Sequence, residues 1–117
     1  MSDNVTIYHN PRCSKSRQTL ARIEEKGLTP KVVLYLDNPP SPATLAALLP
    51  KLGISARELM RNKEAEFKAL GLDDTSLSDE ALINAMSEHP KLIERPIVVK
   101  GKKAVLGRPP GNVDEIL

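Results

Sequence analysis

The chain has 117 residues, with 17 basic and 15 acidic side chains, one cysteine and 3% aromatic residues. This length fits one domain, and the balanced charge and few aromatic side chains predict that nucleic acid is not a partner. The sequence shows no signal-peptide pattern, no apolar run of membrane-spanning length and no heptad repeat, so we expect a cytoplasmic monomer with no membrane contact.

The first elements predict a parallel βαβ unit. Residues 5–9 alternate between apolar and polar, residues 14–26 have helical spacing with Leu20 and Ile23 facing inward, and residues 31–36 are again rich in strand formers. Two strands joined by a crossover helix run parallel, and the connection is right-handed.

The single cysteine, Cys13, lies where the first predicted strand gives way to the helix. A helix start presents unpaired N–H groups and partial positive charge, and Arg12, Lys15 and Arg17 add cations close by. Such surroundings lower the pKa of a thiol and welcome an oxyanion. The sequence therefore indicates a nucleophilic cysteine, and the alternative is a buried structural one.

The middle of the chain, about residues 38–94, predicts a helical insertion. Ser41 is placed to cap a first helix, and Ser55 begins a capping-box pattern that starts a second segment. A third helix is predicted from residue 62 or 63 to 70, and Ser78 is placed to cap a fourth. The segment carries no linker composition at its edges, so it belongs to the same domain.

A β-hairpin is predicted over residues 95–109. If Gly101 and Lys102 form a two-residue turn with glycine first, as a type II′ turn prefers, counting outward places Arg95 opposite Arg108. Directly opposed residues have Cβ atoms about 4.5–5.5 Å apart. Two guanidinium groups would then extend from the same end of one hairpin.

This pairing of Arg95 with Arg108 suggests an anion site. Like charges placed opposite each other destabilise a sheet unless an anion lies between them. A divalent or trivalent oxyanion matches the fork geometry of guanidinium groups. The alternative is two solvated arginines at strand ends.

Several separated segments resemble the glutaredoxin-coupled arsenate reductase family. They are residues 9–17, 34–36, 38–40, 53–61 and 94–99. The resemblance implies an α/β fold with a thioredoxin/glutaredoxin-like mixed sheet, in which a βαβ unit precedes a β-hairpin and a C-terminal helix, with the helical insertion. It also implies that residues 1–117 form a single domain and that the peptide bond before Pro96, which lies near the nucleophile, is cis.

The resemblance also implies the roles of individual residues. Cys13 corresponds to the nucleophile, and His9 and Ser16 correspond to a pKa-lowering and a hydrogen-bonding neighbour of its sulfur. The oxyanion-binding and catalytic arginines correspond to Arg61, Arg95 and Arg108. To these we add residues of the helix start, namely Arg17 as a neighbour of the thiolate and Ser14 and Lys15 as further oxyanion-binding residues.

The reaction that follows is attack of the Cys13 thiolate on the arsenic of arsenate, with arsenite as the final product. Ser16 stands where a dithiol motif would have its second cysteine, so the chain has no resolving thiol of its own. The resemblance points to glutathione and glutaredoxin as external reductants. No bound cofactor and no metal are expected.

Three other functions share features with this sequence. A tyrosine-phosphatase-type site needs arginine six positions after the cysteine, where this chain has Thr19. Related regulators that bind RNA polymerase usually carry a C-x-x-C switch, which Ser16 interrupts, although protein binding stays open. A reductase-like protein could also serve as a thiol relay or act on another small oxyanion.

Overall fold

The computed structural model describes residues 4–117. The chain divides into two compact units, which we call the sheet unit and the helical unit. The sheet unit joins the residues up to Asn38 with Arg95–Leu117, and the helical unit is Pro39–Glu94. The assignment of the whole chain to a single domain stays a prediction.

Within the described residues, the sheet unit contains four strands, an α-helix and a 3₁₀ helix. In chain order they are β1 Val5–Tyr8, α1 Ser14–Glu25, β2 Lys31–Val33, β3 Ile97–Lys100, β4 Lys103–Leu106 and the 3₁₀ helix Pro110–Glu115. The order across the sheet is β2-β1-β3-β4. β1 is parallel to β2 and antiparallel to β3, and β3 and β4 form the antiparallel hairpin. The predicted βαβ unit and hairpin are both confirmed.

The core of the sheet unit positions the start of α1. Val5 and Ile7 alternate with more exposed residues along β1 and pack with Ile23 of α1, Val98 of β3 and Val113 of the terminal 3₁₀ helix. Full burial of such side chains contributes about 1.5–3 kcal/mol each relative to exposure. The helix is therefore fixed on the sheet, with its first turn just beyond the end of β1.

The hairpin adopts the predicted register. Lys100 pairs with Lys103, and Ile97 pairs with Leu106. Gly101 has φ 61°, and no described residue other than glycine has a positive φ, which fits a type II′ turn with glycine first.

One strand of the sheet unit is shorter than the sequence predicts, and the closing helix is of the 3₁₀ type. β2 ends at Val33 instead of residue 36, because the Leu34 carbonyl accepts the N–H groups of Asp37 (3.0 Å) and Asn38 (2.9 Å) in a turn. The predicted C-terminal helix is present as a 3₁₀ helix over Pro110–Glu115.

An ion-pair cluster joins the terminal 3₁₀ helix to α1. Asp114 Oδ1 accepts from Arg22 Nε at 3.0 Å and lies 3.3 Å from Lys26 Nζ. Hydrogen bonding to Arg22 and the neighbouring positive charges lower the pKa of Asp114 to about 2. The end of the chain is thereby tied to the helix that begins at the cysteine.

The helical unit contains four α-helices and a 3₁₀ helix in the described chain. They are α2 Pro42–Leu52, α3 Ala56–Leu59, α4 Ala65–Ala69, α5 Asp79–Glu88 and the 3₁₀ helix Pro90–Leu92. The predicted caps at Ser41, Ser55 and Ser78 are confirmed, and the capping box at Ser55 is complete. No helix in residues 4–117 combines the length and the apolarity that a membrane crossing requires.

The third helix of this unit begins later than predicted. Met60 forms an isolated antiparallel bridge with Ile93, and the Arg61 N–H donates to the Leu92 carbonyl at 2.7 Å. These bonds hold the chain extended after α3, so α4 begins at Ala65 and not at residue 62 or 63.

Candidate active site

The loop between β1 and α1 presents Cys13 at the helix start. Cys13 is the N-cap residue, with φ −94° and ψ 122°, and its N–H donates to the Asn10 carbonyl at 3.0 Å. The Asn10 side chain accepts from the Arg12 N–H at 3.0 Å, and Arg17 Nη1 donates to the Pro11 carbonyl at 2.8 Å. The loop is therefore held by its own hydrogen bonds, which fix the position of the sulfur.

Beneath this loop, His9 and Ser16 form a buried pair. His9 Nδ1 and Ser16 Oγ are 2.6 Å apart, and the same oxygen accepts from the Asn10 N–H at 3.0 Å. Burial and the charge of Arg17 lower the pKa of His9, so its ring is neutral at neutral pH. The serine hydroxyl can then donate to Nδ1. The role of His9 as a pKa-lowering neighbour stays a prediction, and any effect would pass through Ser16.

The half-buried Cys13 has a pKa below its ordinary value. Burial raises the pKa, but the Ser16 amide, the Arg95 charge, the Lys15 amide and the Arg108 charge together lower it by more. The amides of the helix start and the two arginine charges each favour the ionised thiolate over the neutral thiol. The sulfur is thus prepared to act as a nucleophile.

The base of the hairpin brings two predicted arginines to this sulfur. Arg108 Nη1 lies 4.0 Å from Cys13 Sγ, and the charge of Arg95 also lowers the thiol pKa. Arg108 is exposed and Arg95 is half-buried. The peptide bonds that follow Arg95 and Arg108 are both cis, which confirms the prediction at Pro96 and adds one at Pro109 that the sequence analysis did not make.

A contact between α1 and the end of β4 was missed by sequence reasoning. The fully buried Thr19 places its hydroxyl 2.8 Å from the Lys15 carbonyl and 3.0 Å from the Gly107 carbonyl. A Cβ atom at Gly107 would lie 2.7 Å from Thr19 side-chain atoms and 2.9 Å from Pro96 Cγ. Only glycine allows this approach, which fixes the residue directly before Arg108 against the helix that carries the nucleophile.

The remaining predicted residues of the helix start, Ser14 and Lys15, are exposed on the first turn of α1. Their position places them with Cys13, and the Lys15 amide acts on its sulfur. Oxyanion binding by their side chains stays a prediction.

Arg61 lies in the helical unit and has a carboxylate partner. Its Nη1 lies 2.7 Å from Glu64 Oε1, with side-chain exposures of 28% and 26%. The sequence analysis overlooked Glu64, because Arg61 lies outside a helix, where residues three apart are not regularly adjacent. The oxyanion-binding role of Arg61 stays a prediction.

The chain is similar to known proteins along nearly its whole length. The model of the ArsC family matches residues 8–116. The chain is 60% identical to the uncharacterized protein YfgD of Escherichia coli K12, over 100% of this chain and 99% of that protein. It is 52% identical to an arsenate reductase of Haemophilus influenzae, over 97% of this chain and 99% of the relative.

A solved structure of an arsenate reductase from Vibrio cholerae is also similar, with a TM-score of 0.97 and 53% identity over 100% of both chains. The predicted mixed α/β, thioredoxin-like fold with its helical insertion is confirmed by this likeness and by the four-stranded mixed sheet.

Proposed function

Because this chain belongs to the ArsC family, we propose that it is an arsenate reductase in which the Cys13 thiolate attacks arsenate and glutathione supplies the electrons. The activity is supported by arsenate reductases that are 48% and 52% identical over nearly the full chain. The observation that carries the mechanism is the lowered thiol pKa of Cys13 at the start of α1, with Arg108 Nη1 4.0 Å from its sulfur.

In the first step, the Cys13 thiolate forms a bond to the arsenic of dihydrogen arsenate. One arsenic–oxygen bond breaks, and the leaving hydroxide takes up a proton from solvent and departs as water. Arsenic remains pentavalent in the resulting thiol ester, which carries one negative charge. Arg95 and Arg108 stabilise the charge on its oxygens, a role in which losing one donor costs about 10² to 10³ in rate.

In the second step, a glutathione thiolate attacks the sulfur of Cys13 in this ester. The sulfur–arsenic bond breaks, and its electron pair leaves with arsenic, which becomes trivalent arsenite. The arsenite oxygens take up two protons from water to give neutral arsenous acid, and one of these protons replaces the proton that glutathione released on forming its thiolate. The two sulfur atoms are oxidised to a mixed disulfide between Cys13 and glutathione, which balances the two-electron reduction of arsenic.

A further thiol must then free the enzyme. The chain has one cysteine, so no internal disulfide can form and no second thiol can resolve the mixed disulfide. We assign this step to glutaredoxin, which reduces the mixed disulfide and returns Cys13 as a thiolate. We assign the enzyme, as a monomer, to the reducing cytoplasm, where a single thiol stays reduced.

The test is arsenite formation by the purified protein with glutathione, glutaredoxin and NADPH-coupled glutathione reductase. We expect arsenate-dependent NADPH oxidation by the wild type and none above background by Cys13→Ser. Lys102→Ala, a change at the exposed hairpin turn, serves as the control for handling and should match the wild type.

Turnover by Cys13→Ser would refute Cys13 as the nucleophile. Turnover by the wild type with thioredoxin and thioredoxin reductase, but not with glutathione and glutaredoxin, would refute the proposed reductant and keep the reductase.

A further inference from the structure

A cavity of about 330 Å³ lies beside the loop that carries the nucleophile. Its walls are residues 9–12, Leu34, Leu36 and Asp37, all of which belong to the sheet unit. The volume falls within the lower part of the range typical of small-molecule sites, about 300–1,000 Å³. The cavity is therefore large enough for a short peptide. Arg12, the last residue of this loop in its wall, directly precedes Cys13.

The wall of this cavity contains one positively and one negatively charged residue. Arg12 and Asp37 are both exposed, and their main chains are hydrogen-bonded: the Arg12 N–H donates to Asn10 Oδ1, and the Asp37 N–H donates to the Leu34 carbonyl. These bonds fix the backbone at both residues while the charged groups face solvent. A ligand with an ammonium and a carboxylate group could pair with both.

The apolar wall comes from the turn after β2. Leu34 and Leu36 are 38% and 36% exposed, so both present apolar surface at this wall. Their exposure follows from the early end of β2, after which the chain turns at the Leu34 carbonyl. An inorganic anion would gain nothing from these side chains, and Asp37 would repel it.

We propose that this cavity is the glutathione subsite of the enzyme. The ammonium group of glutathione pairs with Asp37, one of its carboxylates pairs with Arg12, and its aliphatic stems cover Leu34 and Leu36. This inference rests on the proposed function, in which glutathione attacks the Cys13 thiol ester.

The separation of the two ligand positions supports this assignment. Neither Arg95 nor Arg108 belongs to the cavity wall, whereas both act on the Cys13 sulfur. Attack on a bonded sulfur requires the incoming thiolate to approach opposite the bond that breaks. A thiol held in the cavity would approach the sulfur from a side that neither arginine lines.

The experiment compares Asp37→Asn with Glu24→Gln, which removes the same charge from the exposed face of α1. The KM for glutathione is measured in the arsenate assay, with dithiothreitol, which lacks charged groups, as the alternative reductant. We expect Asp37→Asn to raise the glutathione KM about fivefold, as an exposed ion pair of about 1 kcal/mol predicts, and to leave the dithiothreitol rate at the wild-type value. Glu24→Gln should change neither.

A binding measurement separates this inference from the proposed function. S-methylglutathione cannot react, and its titration into ¹⁵N-labelled protein should shift the amides of residues 10–12 and 34–37, with weaker binding in Asp37→Asn. Shifts confined to other residues, or an unchanged glutathione KM in Asp37→Asn, would overturn the subsite. An absence of glutathione-dependent turnover, with S-methylglutathione still bound at these residues, would refute the reductant and keep the cavity as a glutathione site.

Discussion

The sheet unit and the helical unit hold their predicted oxyanion arginines in different ways. In the sheet unit, the strand register and the contact at Gly107 place Arg108 against the Cys13 sulfur. In the helical unit, Arg61 lies against the carboxylate of Glu64. One cation is therefore positioned by the backbone and faces the nucleophile, while the other is held by a side chain of opposite charge.

This difference suggests two separate energetic roles. A cation fixed by a hairpin base needs no rearrangement when an oxyanion arrives, and such preorganisation is the main source of electrostatic catalysis. A cation paired with a carboxylate must exchange or share that partner. We therefore expect variants of the sheet unit to affect the rate strongly, and variants of the helical unit to affect mainly the affinity.

The largest effect is expected from removing either cation of the sheet unit. Arg95→Ala and Arg108→Ala should each lower kcat/KM for arsenate by about 10² to 10³, because each removes a donor to the oxyanion. Lys103→Ala, in the same hairpin, removes a positive charge away from the sulfur and should stay near wild type. A decrease of less than about threefold in both arginine variants, with the fold intact by circular dichroism, would show that the hairpin base is not the oxyanion site.

A smaller effect is expected from Thr19, which we treat as a positioning residue. Thr19→Val keeps the shape but removes the hydroxyl that contacts the Gly107 carbonyl, so Arg108 loses its fixed position. We expect kcat to fall about tenfold, and Thr19→Ser, which keeps the hydroxyl, to recover most of the rate. The pH profile of Cys13 alkylation distinguishes positioning from a merely structural role. Its midpoint should rise in Thr19→Val, whereas a merely structural role would leave it unchanged.

The pH dependence of that alkylation tests the charge environment directly. The thiol pKa lies below its ordinary value, so the rate of reaction with iodoacetamide should level off at a lower pH than for a peptide cysteine. Arg108→Ala removes a charge that favours the thiolate, and its midpoint should move upward. A rate that continues to climb to pH 9 in the wild type would identify an ordinary cysteine.

Removing a charged side chain from the helical unit should improve the affinity for arsenate instead of reducing the rate. Glu64→Gln removes the partner of Arg61 and should lower the KM for arsenate about threefold, with little change in kcat, because an exposed ion pair contributes about 0.2–1 kcal/mol. Glu66→Gln in α4 is the matched control. An increase in KM would show that Glu64 orients Arg61 for binding instead of competing with the oxyanion.

The smallest effect concerns stability. The pKa of Asp114 is lowered to about 2, so its contribution is fully present above its ordinary pKa of 3.8 and disappears as the pH falls through 2. Asp114→Asn should lower Tm by less than about 5 °C at pH 7, and the difference from the wild type should vanish near pH 2. A difference that persists at pH 2 would assign the loss to packing and not to charge.

The parts that sequence predicted correctly are specified by neighbouring residues. The hairpin register follows from Gly101 in a two-residue turn, and the caps at Ser41 and Ser78 follow from their own side chains. The place of Arg108 near Cys13 was implied by the family resemblance and not by the register, and Arg108 Nη1 lies 4.0 Å from the sulfur.

The parts that sequence did not predict depend on distant or competing contacts. Thr19 and Gly107 are 88 residues apart, and neither residue type marks a tertiary contact. Strand propensity over residues 31–36 was overridden by the turn at Leu34. The Glu64 partner of Arg61 was obscured because Arg61 lies outside a helix, where residues three apart are not regularly adjacent.

The close packing at Gly107 also determines where this protein tolerates engineering. Thr19 and Pro96 leave no space for a Cβ atom at the hairpin base, whereas the side chain of Lys102 at the turn is exposed. A fluorophore attached to the side chain at position 102, which leaves Gly101 and the two-residue turn intact, would project from the far end of the hairpin while the base keeps its alignment. The hairpin tip is thus the preferred attachment point for reporters of binding or turnover.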